Sequence, residues 1–192
     1  MTAPQLVLIA GPSGSGKSRL VRRSGHPCLR LDDFYRDADA PGLPRTHGIV
    51  DWDDPATWDG EAAVRAINDL LSTGRTNAPT YSIPLSRAMG SHLVTLDRTA
   101  PILLAEGIFA IEALPLCRAA GIRASGLYLD RPRAVVTWLR LRRDLAQKRK
   151  PIPVLLRRGL ALWKDQPALR GRALANGFVA VSMAEAERQL RR

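Results

Sequence analysis

The residues best equipped for chemistry stand at positions 11–18, where Gly11-Pro12-Ser13-Gly14-Ser15-Gly16-Lys17-Ser18 sets a glycine, four further residues and then Gly-Lys-Ser. Glycines at these points let backbone N–H groups turn inward around phosphate oxygens, and a helix starting at the lysine adds the positive end of its dipole. In such a loop Lys17 reaches the β- and γ-phosphates of a nucleoside triphosphate, and the Ser18 hydroxyl binds Mg2+. Gly11, Ser13, Gly14, Ser15, Gly16, Lys17 and Ser18 are therefore the expected ATP-contacting set. The pattern defines a nucleotide site and leaves the reaction open.

Carboxylates narrow the reaction. Asp32-Asp33 follows the short apolar run 27–31, and Glu106 follows the run 102–105. If both runs are strands of a parallel sheet, their carboxyl ends share one rim, and Ser18, Asp32 and Glu106 converge there. One carboxylate near a metal and one near an acceptor hydroxyl is the arrangement that phosphoryl transfer to an alcohol requires. No Asn-Lys-x-Asp element for guanine occurs, which argues against a GTPase. An ATPase core would end its strand in Asp or Asp-Glu, whereas this one ends in Glu106-Gly107.

The elements that must position these groups can be read from apolar spacing. Strands are expected over 5–10, 27–31, 101–105, 126–129 and 178–181. Helices are expected over 17–23, 60–72, 110–120 with a break near Pro115, 132 to about 147, and about 152–164, with Ser182 capping a last helix. Residues 36–60 are rich in Asp, Pro and Gly and too long for an idle connection, and 74–100 should hold short strands. Alternating strands and helices imply one α/β domain over 1–192 whose parallel sheet is covered on both faces.

Five motifs in order resemble the uridine kinase family: the loop 11–18, Asp-Asp-Phe-Tyr-Arg (32–36), Asp-Trp-Asp-Asp-Pro (51–55), Pro-Thr-Tyr (79–81) and Glu-Gly-Ile (106–108). The resemblance covers about residues 5–145 and implies a P-loop kinase fold over 1–192, with substrate-binding insertions near 36–60 and 74–100 and a basic lid near 140–158. It implies a kinase that moves the ATP γ-phosphate to a nucleoside 5′-hydroxyl, with Asp32 as general base and Lys17 on the transferred phosphate. Tyr35 and Trp52 match aromatic positions of the nucleoside pocket, Asp53 the carboxylate that holds ribose hydroxyls, Tyr81 a base-contacting tyrosine, and Glu106 a residue near Mg2+. Arg140 and Arg143, three apart on one helical face, match arginines that close over acceptor and phosphates. The family pattern is not kept everywhere. After Tyr81 the stretch 82–87 is one residue shorter than the family's, with Ile83 for an aromatic and Leu85 nearest a histidine. That departure implies that ribose-like hydroxyls stay recognised while uridine and cytidine are poor or non-exclusive acceptors.

Composition excludes other classes. The chain has 192 residues with 45% hydrophobic and 24% charged, the balance of a soluble globular domain. Cys28 and Cys117 are too few for a disulfide framework, no basic leader precedes an apolar run, and no apolar stretch is long enough to span a membrane. A cytoplasmic protein is expected. Residues 1–117 carry 11 Lys and Arg against 13 Asp and Glu, while 118–192 carry 18 against 5. Such a basic half attracts polyanions, either nucleotide phosphates or nucleic acid. A nucleic-acid binder needs aromatics interleaved with the basic residues, and only Trp138, Trp163 and Phe178 are available. The expected partner is thus a small alcohol, with ATP and Mg2+. A same-fold kinase for a vitamin precursor or a sugar, and a P-loop nucleic-acid-binding protein, remain the alternatives.

Overall fold

The computed structural model describes residues 4–46, 48–97, 99–146 and 152–191. The chain order is β1 (Gln5–Ala10), α1 (Lys17–Ser24), β2 (Cys28–Arg30), a 3-10 turn (Leu31–Phe34), β3 (Arg45–Thr46), β4 (Ile49–Val50) and α2 (Gly60–Thr73). It continues with β5 (Arg75–Ser82), β6 (Arg87–Thr95), β7 (Ile102–Glu106), α3 (Ala110–Ala119), β8 (Ala124–Leu129), α4 (Arg133–Ala146), α5 (Ile152–Ala175), β9 (Phe178–Val181) and α6 (Met183–Gln189). Five strands form one parallel sheet in the order β2-β7-β1-β8-β9. The central strand β1 has a later strand on each side. The loop that leaves it therefore opens at the crevice where ligands bind in such sheets.

Alternation along β1 explains the two faces. Leu6, Leu8 and Ala10 point into a core shared with Ile67, Leu70, Phe109, Leu114 and Tyr128. Val7 and Ile9 point the other way, against Leu20, Ala186 and Leu190. Leu8 and Ile9 are both fully buried, each worth about 1.5–3 kcal/mol relative to an exposed side chain. A strand covered on both faces needs an unbroken apolar run, and QLVLIA supplies one.

Three sequence expectations change. The helix at 110–119 runs through Pro115 without a break. Proline in a helix interior costs about 3 kcal/mol, but Ala110, Ile111, Ala113, Leu114 and Cys117 are all buried on one side of α3 and hold it. The second basic helix extends to Ala175, well past Lys164. Apolar spacing fades there because polar contacts take over: Gln166 Nε2 donates to the Arg131 carbonyl (3.0 Å) and Arg170 Nε to Asp130 (2.8 Å). The strand at 27–31 contracts to Cys28–Arg30 because Leu31 already begins the 3-10 turn. Strict strand–helix alternation is also interrupted by an antiparallel hairpin, β5–β6, outside the main sheet.

Candidate active site

The phosphate loop is shaped by its glycines. Gly11, Gly14 and Gly16 all have positive φ (144°, 91° and 99°), where an L side chain is strained. Space agrees: a Cβ on Gly11 would lie 2.9 Å from Ser15 Oγ and 3.2 Å from the Leu129 carbonyl, and one on Gly16 would lie 2.8 Å from Met183 Cε. Lys17 Nζ donates to the Gly11 carbonyl at 2.8 Å, so the lysine spans the loop that it closes. Ser15 is fully buried, and its Oγ has no hydrogen-bond partner. The unpaired Ser15 Oγ lies beneath the loop, whose outer end at Ser18 is exposed, a shape that suits an anion.

The rim brings two of the expected groups together. Ser18 Oγ donates to Glu106 Oε1 at 3.1 Å across the sheet from α1 to the end of β7. A hydroxyl and a carboxylate oxygen this close suit Mg2+, which binds few protein oxygens and completes its shell with water and substrate phosphates. Among the described residues no metal-binding group of three His, Cys, Asp or Glu side chains occurs.

Asp32 and Asp33 diverge. Asp32 is half-buried, and its Oδ1 accepts the backbone N–H of Ile108 at 3.0 Å, just past Glu106. Gly107 makes this approach possible, since a Cβ there would stand 2.6 Å from Asp32 Oδ1 and 2.8 Å from Leu31 Cβ. Asp33 is buried, 3.7 Å from the Arg30 guanidinium. Burial pushes its carboxyl above the ordinary carboxylate value, opposed by Arg30, His92 and the backbone N–H of Tyr81. Asp32 thus joins the rim of Ser18 and Glu106, and Asp33 faces the hairpin.

Beside Asp32 lies an aromatic cluster. Tyr35 stands 5.5 Å from each of Trp52, Tyr81 and Phe109 between ring centroids, edge-on to Trp52 and Phe109. Its hydroxyl donates to the Trp52 carbonyl (3.1 Å), and the Tyr81 hydroxyl donates to the Arg36 carbonyl (3.1 Å). Burial raises the Tyr35 phenol above its ordinary range, reinforced by the charges of Asp32 and Asp53. Burial and then Asp37 push Tyr81 up to about 12. Both phenols therefore stay neutral donors at physiological pH. Asp53 is exposed beside this cluster, near Tyr35, its N–H bonded to Asp51 Oδ1.

Backbone pairing explains why residues 36–60 can line the site. Arg36 N–H donates to the Thr57 carbonyl (2.8 Å) and Asp59 N–H to that of Phe34 (2.9 Å), closing the loop at its base. Trp58 Nε1 donates to the Leu31 carbonyl at 2.9 Å, while the ring stacks on Phe109 at 5.4 Å. Phe109, Gly107 and Trp58 were not among the expected site residues. The Glu-Gly-Ile run was a signal for Gly107, because a glycine next to a strand-end carboxylate marks close approach. Arg140 and Arg143 lie on α4, but their side chains fall outside the described residues, as do residues 147–151 of the expected lid and His47. His26 Nε2 meets the Leu190 carbonyl (2.6 Å) and His92 Nδ1 meets Thr80 Oγ1 (3.0 Å), both away from the rim. Burial lifts the thiols of Cys28 and Cys117 to about 12 and about 11, which keeps them protonated.

No sequence-family model matches the chain, and no curated protein matches its sequence. Solved structures do match its shape. A provisionally assigned fructose transport system kinase from Silicibacter sp. TM1040 superposes with TM-score 0.59 at 20% identity, covering 94% of this chain and 89% of its own. The YGR205w protein superposes with TM-score 0.54 at 15% identity over 96% and 88%. A possible uridine kinase from Bacillus stearothermophilus does so with TM-score 0.50 at 20% identity over 71% and 76%. The chain has a P-loop kinase fold. Within this P-loop kinase fold the five-strand sheet presents positions 11–18, 32 and 106 on one rim, and no described helix is long and apolar enough to cross a membrane.

Proposed function

We propose that this chain is an ATP- and Mg2+-dependent phosphotransferase that moves the γ-phosphate of ATP to a hydroxyl of a nucleoside-like small molecule, in the cytoplasm. The observation that carries this reading is the meeting of Ser18, Glu106 and Asp32 on one rim, next to the Tyr35, Trp52 and Tyr81 pocket. The glycine loop and Lys17 hold the triphosphate. Ser18 and Glu106 would hold Mg2+, which when bound neutralises charge on the phosphate oxygens. Asp32 orients the acceptor hydroxyl and takes its proton as the new O–P bond forms and the bond to the ADP oxygen breaks. Arg140 and Arg143 are assigned to closure over the phosphates, with Arg143 supplying charge to the transferring group. Tyr35, Trp52 and Tyr81 stack on a flat ring, and Asp53 accepts hydroxyl protons beside them.

A second reading keeps the same chemistry with another alcohol. It is favoured by the apolar replacements at the hairpin tip, where Ile83 and Leu85 are 60% and 64% exposed and offer no hydrogen bonds to a pyrimidine. The first structural neighbour, a provisionally assigned fructose transport system kinase, keeps a sugar in view. An apolar wall discriminates only weakly, whereas a buried hydrogen-bonding site can reject an analogue by orders of magnitude. ATP consumption should therefore be screened against nucleosides, vitamin precursors and sugars. Turnover of vicinal-diol nucleoside-like compounds without strict pyrimidine preference is expected. Exclusive uridine and cytidine turnover would restore the plain family reading. Salt-sensitive retention on RNA or DNA with no alcohol-dependent ATP turnover would replace it by the nucleic-acid-binding alternative.

A further inference from the structure

We propose that Asp37 is a positioning residue for the acceptor pocket: it docks the tip of the β5–β6 hairpin on segment 36–39 and so sets where Tyr81 stands against Tyr35. This rests on the reading of that pocket as the acceptor site. Asp37 Oδ1 accepts the backbone N–H of Ala88 at 2.8 Å. Ala88 is the ladder partner of Tyr81, so the carboxylate grips the residue opposite the pocket's tyrosine. The ladder passes from the Pro79–Ser91 pair to the Tyr81–Ala88 pair, so Thr80 faces two residues of β6, Met89 and Gly90. Such a bulge loosens the ladder and re-aims side chains beside it, which makes an outside anchor necessary.

The remaining contacts at the tip show why Asp37 matters more than its neighbours. Ala38 N–H donates to the Ser86 carbonyl at 2.9 Å, and the Tyr81 hydroxyl donates to the Arg36 carbonyl. The Arg87–Asp39 pair is short (2.8 Å), but its side chains are 58% and 70% exposed, and solvated pairs of this kind contribute little. Apolar packing does not hold the tip either. An open groove of about 440 Å3 lies beside these contacts, between Ala38 and Asp39 on one side and Leu85 and Met89, which are largely exposed, on the other. The Ala88 N–H to Asp37 bond joins a carboxylate to a backbone group already fixed in the ladder, and bonds to a charged group are roughly twice as strong as neutral ones.

The test compares Asp37→Ala, Asp37→Asn and Asp39→Ala by amide hydrogen exchange of the free protein and by steady-state kinetics with the best acceptor from the screen. In Asp37→Ala the Ala88 amide should exchange at least about tenfold faster, as expected when a bond of this class is lost. The same variant should raise the acceptor KM about tenfold, with the ATP KM unchanged and kcat within a few-fold, since uniform binding is what has been removed. Asn keeps an oxygen for the Ala88 N–H but not the charge, so Asp37→Asn should fall between wild type and Asp37→Ala in both readouts, and Asp39→Ala should alter neither. Unchanged Ala88 exchange in Asp37→Ala overturns the proposal, as does faster exchange with no shift in acceptor KM, or an equal rise in both KM values. Should Asp37→Ala not fold, Asp37→Asn is read in its place: unchanged Ala88 exchange, or faster exchange with an unchanged acceptor KM, overturns the proposal. Absence of any phosphorylated alcohol sinks the reading of the site instead, and the exchange measurements still decide whether Asp37 holds the hairpin.

Discussion

Lys17 is the one side-chain charge that the glycine loop carries inside itself, and its ammonium already spans the loop to Gly11. Lys17→Ala should abolish turnover and remove the thermal stabilisation that ATP gives, which at a hundredfold excess over Kd amounts to about 2.7 kcal/mol. A variant still stabilised by ATP and still active would place the nucleotide elsewhere. The neighbouring carboxylates separate by environment. Asp32→Asn should cost roughly 10²–10⁴-fold in kcat with ATP still bound, and Asp33→Asn much less; equal losses would reverse the assignment of the base. Asp33 also makes a pH prediction. Its carboxyl is raised in the folded chain above 3.8, so the folded state holds that proton more tightly than the unfolded one. The stabilisation is complete below the unfolded value and is lost as pH rises through the folded one. Relative to wild type, Asp33→Asn should therefore gain stability over the window just above pH 3.8, read from urea midpoints at successive pH values; a pH-independent difference would discount burial as the cause.

At the scale of elements, the end of β7 is where geometry and chemistry meet. Gly107→Ala would push a methyl into Asp32 Oδ1 and Leu31 Cβ, and a displacement of about 1 Å at a reacting group can cost about 10²-fold in rate. The expected variant binds ATP normally and turns over poorly; normal kcat would mean that Asp32 is free to move without consequence. Ser86, at the hairpin tip, is the one described non-glycine residue with positive φ (49°). Ser86→Gly should keep the hairpin and raise stability by up to about 1 kcal/mol, measured by thermal unfolding; a loss would show that the hydroxyl has its own role. The main sheet was legible because doubly covered strands leave unbroken apolar runs, and the site strands were legible because a motif followed each. Strands within 74–100 were expected, but their length and pairing as one hairpin were not legible, for β6 is exposed along most of its length and carries no apolar alternation. The length of α5 was hidden for a related reason: Gln166 and Arg170 extend it through polar contacts that a hydrophobic pattern does not record. Phe109 was hidden because nothing in a list of motifs distinguishes a pocket ring from a core ring.

Across the whole molecule, charge is divided as the two substrates would be. The first 117 residues are slightly acidic and hold the Asp-rich segment assigned above to the acceptor, while the last 75 hold most of the positive charge. Oppositely charged ligands are steered by such fields, and the effect falls with ionic strength because the Debye length shrinks to about 8 Å near 0.15 M salt. Raising salt should lower kcat/KM for ATP more steeply than kcat/KM for an uncharged acceptor. Parallel slopes would remove the basic half from nucleotide capture. The underside of the phosphate loop adds a constraint of another kind. Gly16 lies against Met183, and β1 is flanked by β7 and β8, both made long after it. The loop is therefore made well before β7, β8 and α6, the neighbours that pack around it. Its folded shape is born only once α6 has been made.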